Sequence, residues 1–137
     1  MQTSRRTFHQ LWAANGFVAV ALGAFGAHGL KTQLAGLPDA ARRLEWWQTA
    51  SHYHLFHALT LGLLATLAGT RPSRSESLAG VAFIVGIVLF SGSLYLMALT
   101  GQTDLAVVTP LGGLGLLIGW GALFICVSGK RPARDDA

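Results

Sequence analysis

Charge is what this chain has least of. Only 12% of its 137 residues are Asp, Glu, Lys or Arg, against 52% hydrophobic, where a soluble domain typically carries about 25% charged side chains. The charges also avoid whole stretches: 11–30, 54–69, 78–99 and 106–127 contain no Lys, Arg, Asp or Glu. A soluble all-α bundle would need polar faces that these stretches lack, which argues against that class. Cysteine is reduced to Cys126, within the last stretch, so no internal disulfide can form. Equally missing are a Walker loop, a nucleophile elbow, a zinc-protease helix and a dinucleotide fingerprint. No catalytic residue, cofactor or resident metal is therefore expected, and the chain does not read as an enzyme.

What is present is apolar length. "LWAANGFVAVALGAFGAHGL", "LAGVAFIVGIVLFSGSLYLMAL" and "AVVTPLGGLGLLIGWGALFICV" each run to about 20 residues or more, which at about 1.5 Å per residue matches a hydrocarbon core about 30 Å thick. "HLFHALTLGLLATLAG" is shorter, but reaches spanning length if its helix starts upstream in "RRLEWWQTASHY", with Trp46, Trp47 and Tyr53 near the interface. The expectation is a single all-α domain over 1–137, an integral membrane bundle of four transmembrane helices spanning about 11–30, 48–69, 78–99 and 106–127. Its expected setting is the bacterial inner membrane, multi-pass. Its sequence pI near 10.0 reflects flanking arginines and lysines rather than a nucleic-acid partner. Arg5, Arg6, Arg71, Arg74, Lys130, Arg131 and Arg134 outweigh Lys31, Arg42 and Arg43, so the positive-inside rule places both termini and the second loop in the cytoplasm. The "SRRTF" segment resembles a twin-arginine export signal, but an arginine pair is equally the cytoplasmic flank of a retained helix.

Glycine is plentiful, with 17 residues. Ala19, Gly23 and Ala27 fall four apart, and Gly112, Gly115 and Gly119 make a comparable stripe in the last block. Such stripes let membrane helices approach closely. Proline enters at Pro110, suited to the first turn of a helix that Thr109 could cap.

The polar residues inside the apolar blocks are the candidates for function. "SHYHLFHA" holds three of the five histidines, yet at about 100° per residue His54 and His57 share a face while His52 lies about 140° to 160° away. At most two can serve one site, and no Asp or Glu within the blocks completes a metal set. His57, set within its apolar block, is the best single candidate, since an ionisable group there must face protein or water. His28 closes the first block near the same side of the membrane and could meet it. Tyr53, Ser91, Ser93, Tyr95 and Thr109 extend these two into a possible polar seam.

Taken in order, "GAFGAHGL", "YHLFHAL", "FSGSLYLMALTG", "TPLGG" and "GW" make the chain resemble the domain of unknown function 423 family, small inner-membrane proteins, over nearly its whole length. The resemblance implies about four membrane helices and supplies no biochemical activity. It carries over Gly23, Phe25, Gly26 and His28, then Tyr53, Phe56 and His57, then Ser91 to Tyr95, and Thr109, Pro110, Gly112, Gly113, Gly119 and Trp120. His52 and His54 stand outside the pattern. The expected role is helix packing with itself or within a larger membrane complex. The alternative is an oligomeric channel or carrier for a small solute, ion or proton along the seam, and a membrane metal or haem site ranks third.

Overall fold

A computed structural model describes residues 2–67 and 72–129, and among the described residues every regular element is helical. Helix α1 covers Gln2–Phe25, runs on through a π-helical turn at Gly26–Leu30 and ends in the short turn Lys31–Gln33. Helix α2 is Ala40–Leu67, α3 is Arg74–Thr100, and α4 is Val108–Gly129, entered through a 3₁₀ turn at Asp104–Val107. The expected blocks thus correspond to four helices, each differing at its ends. α1 starts well before residue 11, and α2 starts at Ala40 because the charged turn "ARRLE" continues the same helix. The tail lies outside the described residues.

Trp12–Gln33, Arg74–Thr100 and Asp104–Gly129 are each long and apolar enough to cross a membrane. α2 falls short by composition, and the reason is visible in its faces. Its polar residues Ser51, His54, His57 and Thr60 are buried, while Phe56, Leu59 and Leu63 point outward. A helix whose polar groups are spent inside the bundle scores as less apolar than the surface it presents.

The helices pack mainly in chain order, α1 on α2, α2 on α3 and α3 on α4, with α3–α4 the most extensive pair. One apolar cluster joins Leu61 and Leu64 of α2 to Ala79, Phe83 and Ile87 of α3 and Leu116 and Leu123 of α4. A second, at the end nearer the first loop, gathers Leu30, Leu34, Trp47 and Ala98. Local chemistry fixes both ends of α3. Ser73 and Glu76 form a reciprocal capping box, with the Ser73 N–H donating to the Glu76 carboxylate at 2.6 Å and the Glu76 N–H donating to Ser73 Oγ at 3.2 Å. At the other end Gly101 takes a positive φ of 75°, which glycine adopts without a Cβ penalty, and its N–H donates to the Met97 carbonyl.

Arg43 completes that end from a different helix. It is buried, its Nε donates to the Ala98 carbonyl at 2.7 Å, its guanidinium also donates to the Leu99 carbonyl, and Asp39 lies 3.9 Å from Nη1. A cation placed on the last carbonyls of α3 satisfies orphan acceptors and opposes the negative end of the helix dipole.

Candidate functional site

The inward face of α2 carries two histidines with separate partners. His54 Nε2 lies 3.0 Å from Asn15 Oδ1 of α1, and its Nδ1 lies 3.4 Å from the Tyr95 hydroxyl of α3. The polar chain Asn15–His54–Tyr95 therefore ties three helices together. With the amide oxygen as acceptor, Nε2–H donates to Asn15 and Nδ1 accepts the tyrosine hydroxyl.

His57 is held differently. Its Nδ1 lies 2.7 Å from its own helix's Tyr53 carbonyl, and its Nε2 lies 3.2 Å from the Trp120 indole nitrogen of α4. A carbonyl only accepts and an indole N–H only donates, so Nδ1–H donates to Tyr53 and Nε2 accepts from Trp120. Both ring nitrogens are used, and the ring is packed by Tyr53, Phe83 and Trp120.

The seam residues consequently fall in several places. His28 sits exposed on the π turn, where its carbonyl accepts from Thr32 Oγ1. Gly26 of that turn packs on Trp47, and His57 lies ten residues further along α2, about 15 Å by helical rise. His28 and His57 are not brought together. Ser93 donates to the Phe90 carbonyl at 2.9 Å and pairs with Thr109 at 2.8 Å, joining α3 to the first turn of α4. Ser91 is 1% exposed, and neither its hydroxyl nor the buried amide nitrogen of Asn15 has a hydrogen-bond partner among the described residues. No three His, Cys, Asp or Glu side chains among the described residues gather closely enough to hold a metal ion.

The packing residues divide as well. Gly112 lies directly against the backbone at Leu89 and Phe90, Gly115 against Gly86, and Gly119 against the Phe83 ring. Ala19 is buried, but among the described residues nothing lies within 4 Å of the position a Cβ on Gly23 would take and Ala27 is exposed, so the α1 stripe is covered at Ala19 and open from Gly23 to Ala27.

Sequence reasoning passed over Asn15, His54 and Arg43. Asn15 is the only asparagine in the chain and lies in an apolar run, which marks it as a buried polar group needing a partner. His54 was legible only as a face-mate of His57, and nothing local distinguishes Arg43 from Arg42.

One concavity stands beside this array, a groove of about 600 Å³ between α2 and α4 across α3, lined by Tyr53, His57, Phe90, Pro110, Gly113, Leu117 and Trp120 among others. Its walls are almost wholly apolar. The His57 nitrogens behind it are already bonded inside the protein.

Residues 22–113 match the family model "Protein of unknown function (DUF423)". The chain is 44% identical over 116 residues to the UPF0382 membrane protein YwdK of Bacillus subtilis, covering 84% of this chain and 90% of that one. It is 40% identical over 110 residues to a UPF0382 membrane protein of Haemophilus influenzae, covering 80% and 84%. To the UPF0382 inner membrane protein YgdD of Escherichia coli it is 40% identical over 113 residues, covering 82% of each chain. No solved structure matches.

Proposed function

This chain belongs to the DUF423 family, whose relatives are membrane proteins, and from that premise we propose that it is a non-enzymatic protein of the bacterial inner membrane acting by helix packing with itself or with a larger membrane complex. In this reading α1 to α4 all span the bilayer, and both termini and the second loop lie in the cytoplasm. The apolar outward face of α2 supports its being the fourth span, since lipid meets Phe56, Leu59 and Leu63 rather than the inward histidines.

The observation that carries the packing role is the free small-residue face of α1. Gly112, Gly115 and Gly119 of α4 are filled by α3, as expected where membrane helices associate through close van der Waals contact. Gly16 and Gly23 have the same smoothness, with nothing among the described residues within 4 Å of a Cβ placed on them. The test is a Gly23→Cys chain that also carries Cys126→Ala, treated in native membranes with a short bis-maleimide. The expected product is a cross-linked homodimer or a discrete adduct with one other membrane protein. An uncross-linked chain under conditions that label the introduced thiol fully would overturn the reading.

A further inference from the structure

The groove between α2 and α4 has a direction. On α4 it runs from Pro110, in the first turn, to Trp120, ten residues or about 15 Å deeper. It therefore begins near the end of the bundle formed by the first and third loops and reaches roughly halfway into a hydrocarbon core about 30 Å thick. Apart from the side-chain polar atoms of Tyr53, His57 and Trp120, its lining side chains are hydrocarbon and aromatic ring.

A cation stands in line with that upper end. At about 100° per residue, Arg42, Trp46, Thr49, Tyr53 and His57 fall within an arc of about 80° on α2, so the face lining the groove continues upward to Arg42. Arg42 is exposed, and its guanidinium carbon lies 5.2 Å from the centre of the Trp46 ring, which holds the charge on that face. The ion pair at this end belongs to Arg43 and Asp39; Glu45 lies outside the arc, and among the described residues no carboxylate pairs with Arg42. From Arg42 down to Tyr53 is eleven residues, about 16 Å of rise, close to the depth of one leaflet's hydrocarbon.

From the membrane placement proposed above, an unpaired interfacial cation above an apolar slot, we infer that this face binds one anionic phospholipid, its phosphate at Arg42 and one acyl chain in the groove against Tyr53, Phe90 and Trp120. A transmembrane helix from a second copy is a poorer fit. It would cover the apolar slot, but it brings no phosphate to Arg42. A single acyl chain needs no hydrogen bond from the walls, and the His57 nitrogens among them are already bonded inside the protein.

The test is native mass spectrometry of the chain released from nanodiscs made of equal parts phosphatidylcholine and phosphatidylglycerol. The wild type is expected to retain one phosphatidylglycerol. Arg42→Gln should lower the preference for phosphatidylglycerol over phosphatidylcholine about fivefold, the factor one basic side chain contributes near an anionic surface, while still retaining a lipid. Gly113→Leu and Leu117→Trp, which fill the groove from beside the Phe90 ring and from an exposed position, should lose the bound lipid, with folding of each checked by circular dichroism. Retention of the two lipids in bath proportion by the wild type, an unchanged preference in Arg42→Gln, or lipid kept by a folded groove-filled variant would each overturn the proposal. So would a lipid-free dimer that the groove-filling substitutions dissociate. Because Gly23 cross-linking reads α1, which contributes no residue to the groove, failure of the packing role and failure of this site are separate results.

Discussion

The α3–α4 joint and the α1–α2 joint use glycine in opposite ways. Between α3 and α4 backbone meets backbone: a Cβ on Gly112 would stand 2.7 Å from the Leu89 carbonyl carbon and the Phe90 Cα. Between α1 and α2 two glycines are sockets for tryptophans, with the Trp47 ring of α2 on Gly26 and the Trp12 ring of α1 on Gly62. Between these two sockets lie the Asn15–His54 contact and the 2.8 Å bond from the Trp47 indole to the Leu22 carbonyl. The first joint is closest where backbone meets backbone and adds the Ser93–Thr109 bond, while the second rests on tryptophan knobs and polar ties. Lipid tails are as apolar as leucine, so neither draws on burial from water across most of its length, and both must rely on packing and internal hydrogen bonds.

The contrast breaks first at its tightest point. Gly112→Ala should destabilise the bundle by about 3 kcal/mol, the upper range for overpacking, because the obstructing atoms are backbone and cannot swing aside. Gly62→Ala meets only the Trp12 side chain and should cost about 1 kcal/mol. Unfolding both variants by titration with dodecyl sulfate, followed by far-UV circular dichroism, gives the comparison. Equal losses would remove the distinction between the two joints.

Next in size is the buried arginine that couples α2 to the end of α3. Arg43→Met keeps much of the side-chain volume but leaves the Ala98 and Leu99 carbonyls without their donor, so a loss of about 2 kcal/mol is expected. Arg43→Lys should recover part of it, since an ammonium reaches one carbonyl more readily than two. The same titration reads both, and a wild-type midpoint for Arg43→Met would show that the cap contributes nothing.

The polar tie of the α1–α2 joint should be weaker than either. Interhelical hydrogen bonds in membranes average about 0.6 kcal/mol in double-mutant cycles, so a cycle over Asn15→Ala and His54→Ala should return a coupling of about that size. The Tyr95 contact, at 3.4 Å, should couple less. A coupling above about 2 kcal/mol would make this chain, rather than the glycine joint, the centre of the fold.

These residues also show what could be read from sequence. Four helices and their approximate positions were legible because charge is excluded from whole blocks, a signal that survives without neighbours. The glycines of α4 were legible as packing residues because their spacing is regular, but the same spacing in α1 did not reveal that Gly23 faces outward. Periodicity gives a face without saying what covers it. His57 stands out in the sequence for its apolar surroundings, and its true companion, Trp120, lies 63 positions away. Arg42 and Arg43 are adjacent and identical in type, yet about 100° of helix turns one onto the last carbonyls of α3 and leaves the other exposed. Such distinctions depend on tertiary partners that no local pattern encodes.

The smallest effect is the one that isolates the free face of α1. Within this chain Gly23→Ala adds a methyl where nothing lies within 4 Å, so no clash opposes it. Replacing a mid-helix glycine should instead favour the helix by up to about 1 kcal/mol. The midpoint in dodecyl sulfate should therefore stay level or rise slightly, the reverse of Gly112→Ala. Gly23→Leu should leave that midpoint similarly unharmed while abolishing the cross-link proposed at this face, because a bulky side chain holds a second helix away. A Gly23→Leu chain that unfolds as readily as Gly112→Ala would mean that α1 packs against its own bundle through this face. The difference between a joint already filled and one still open would then disappear.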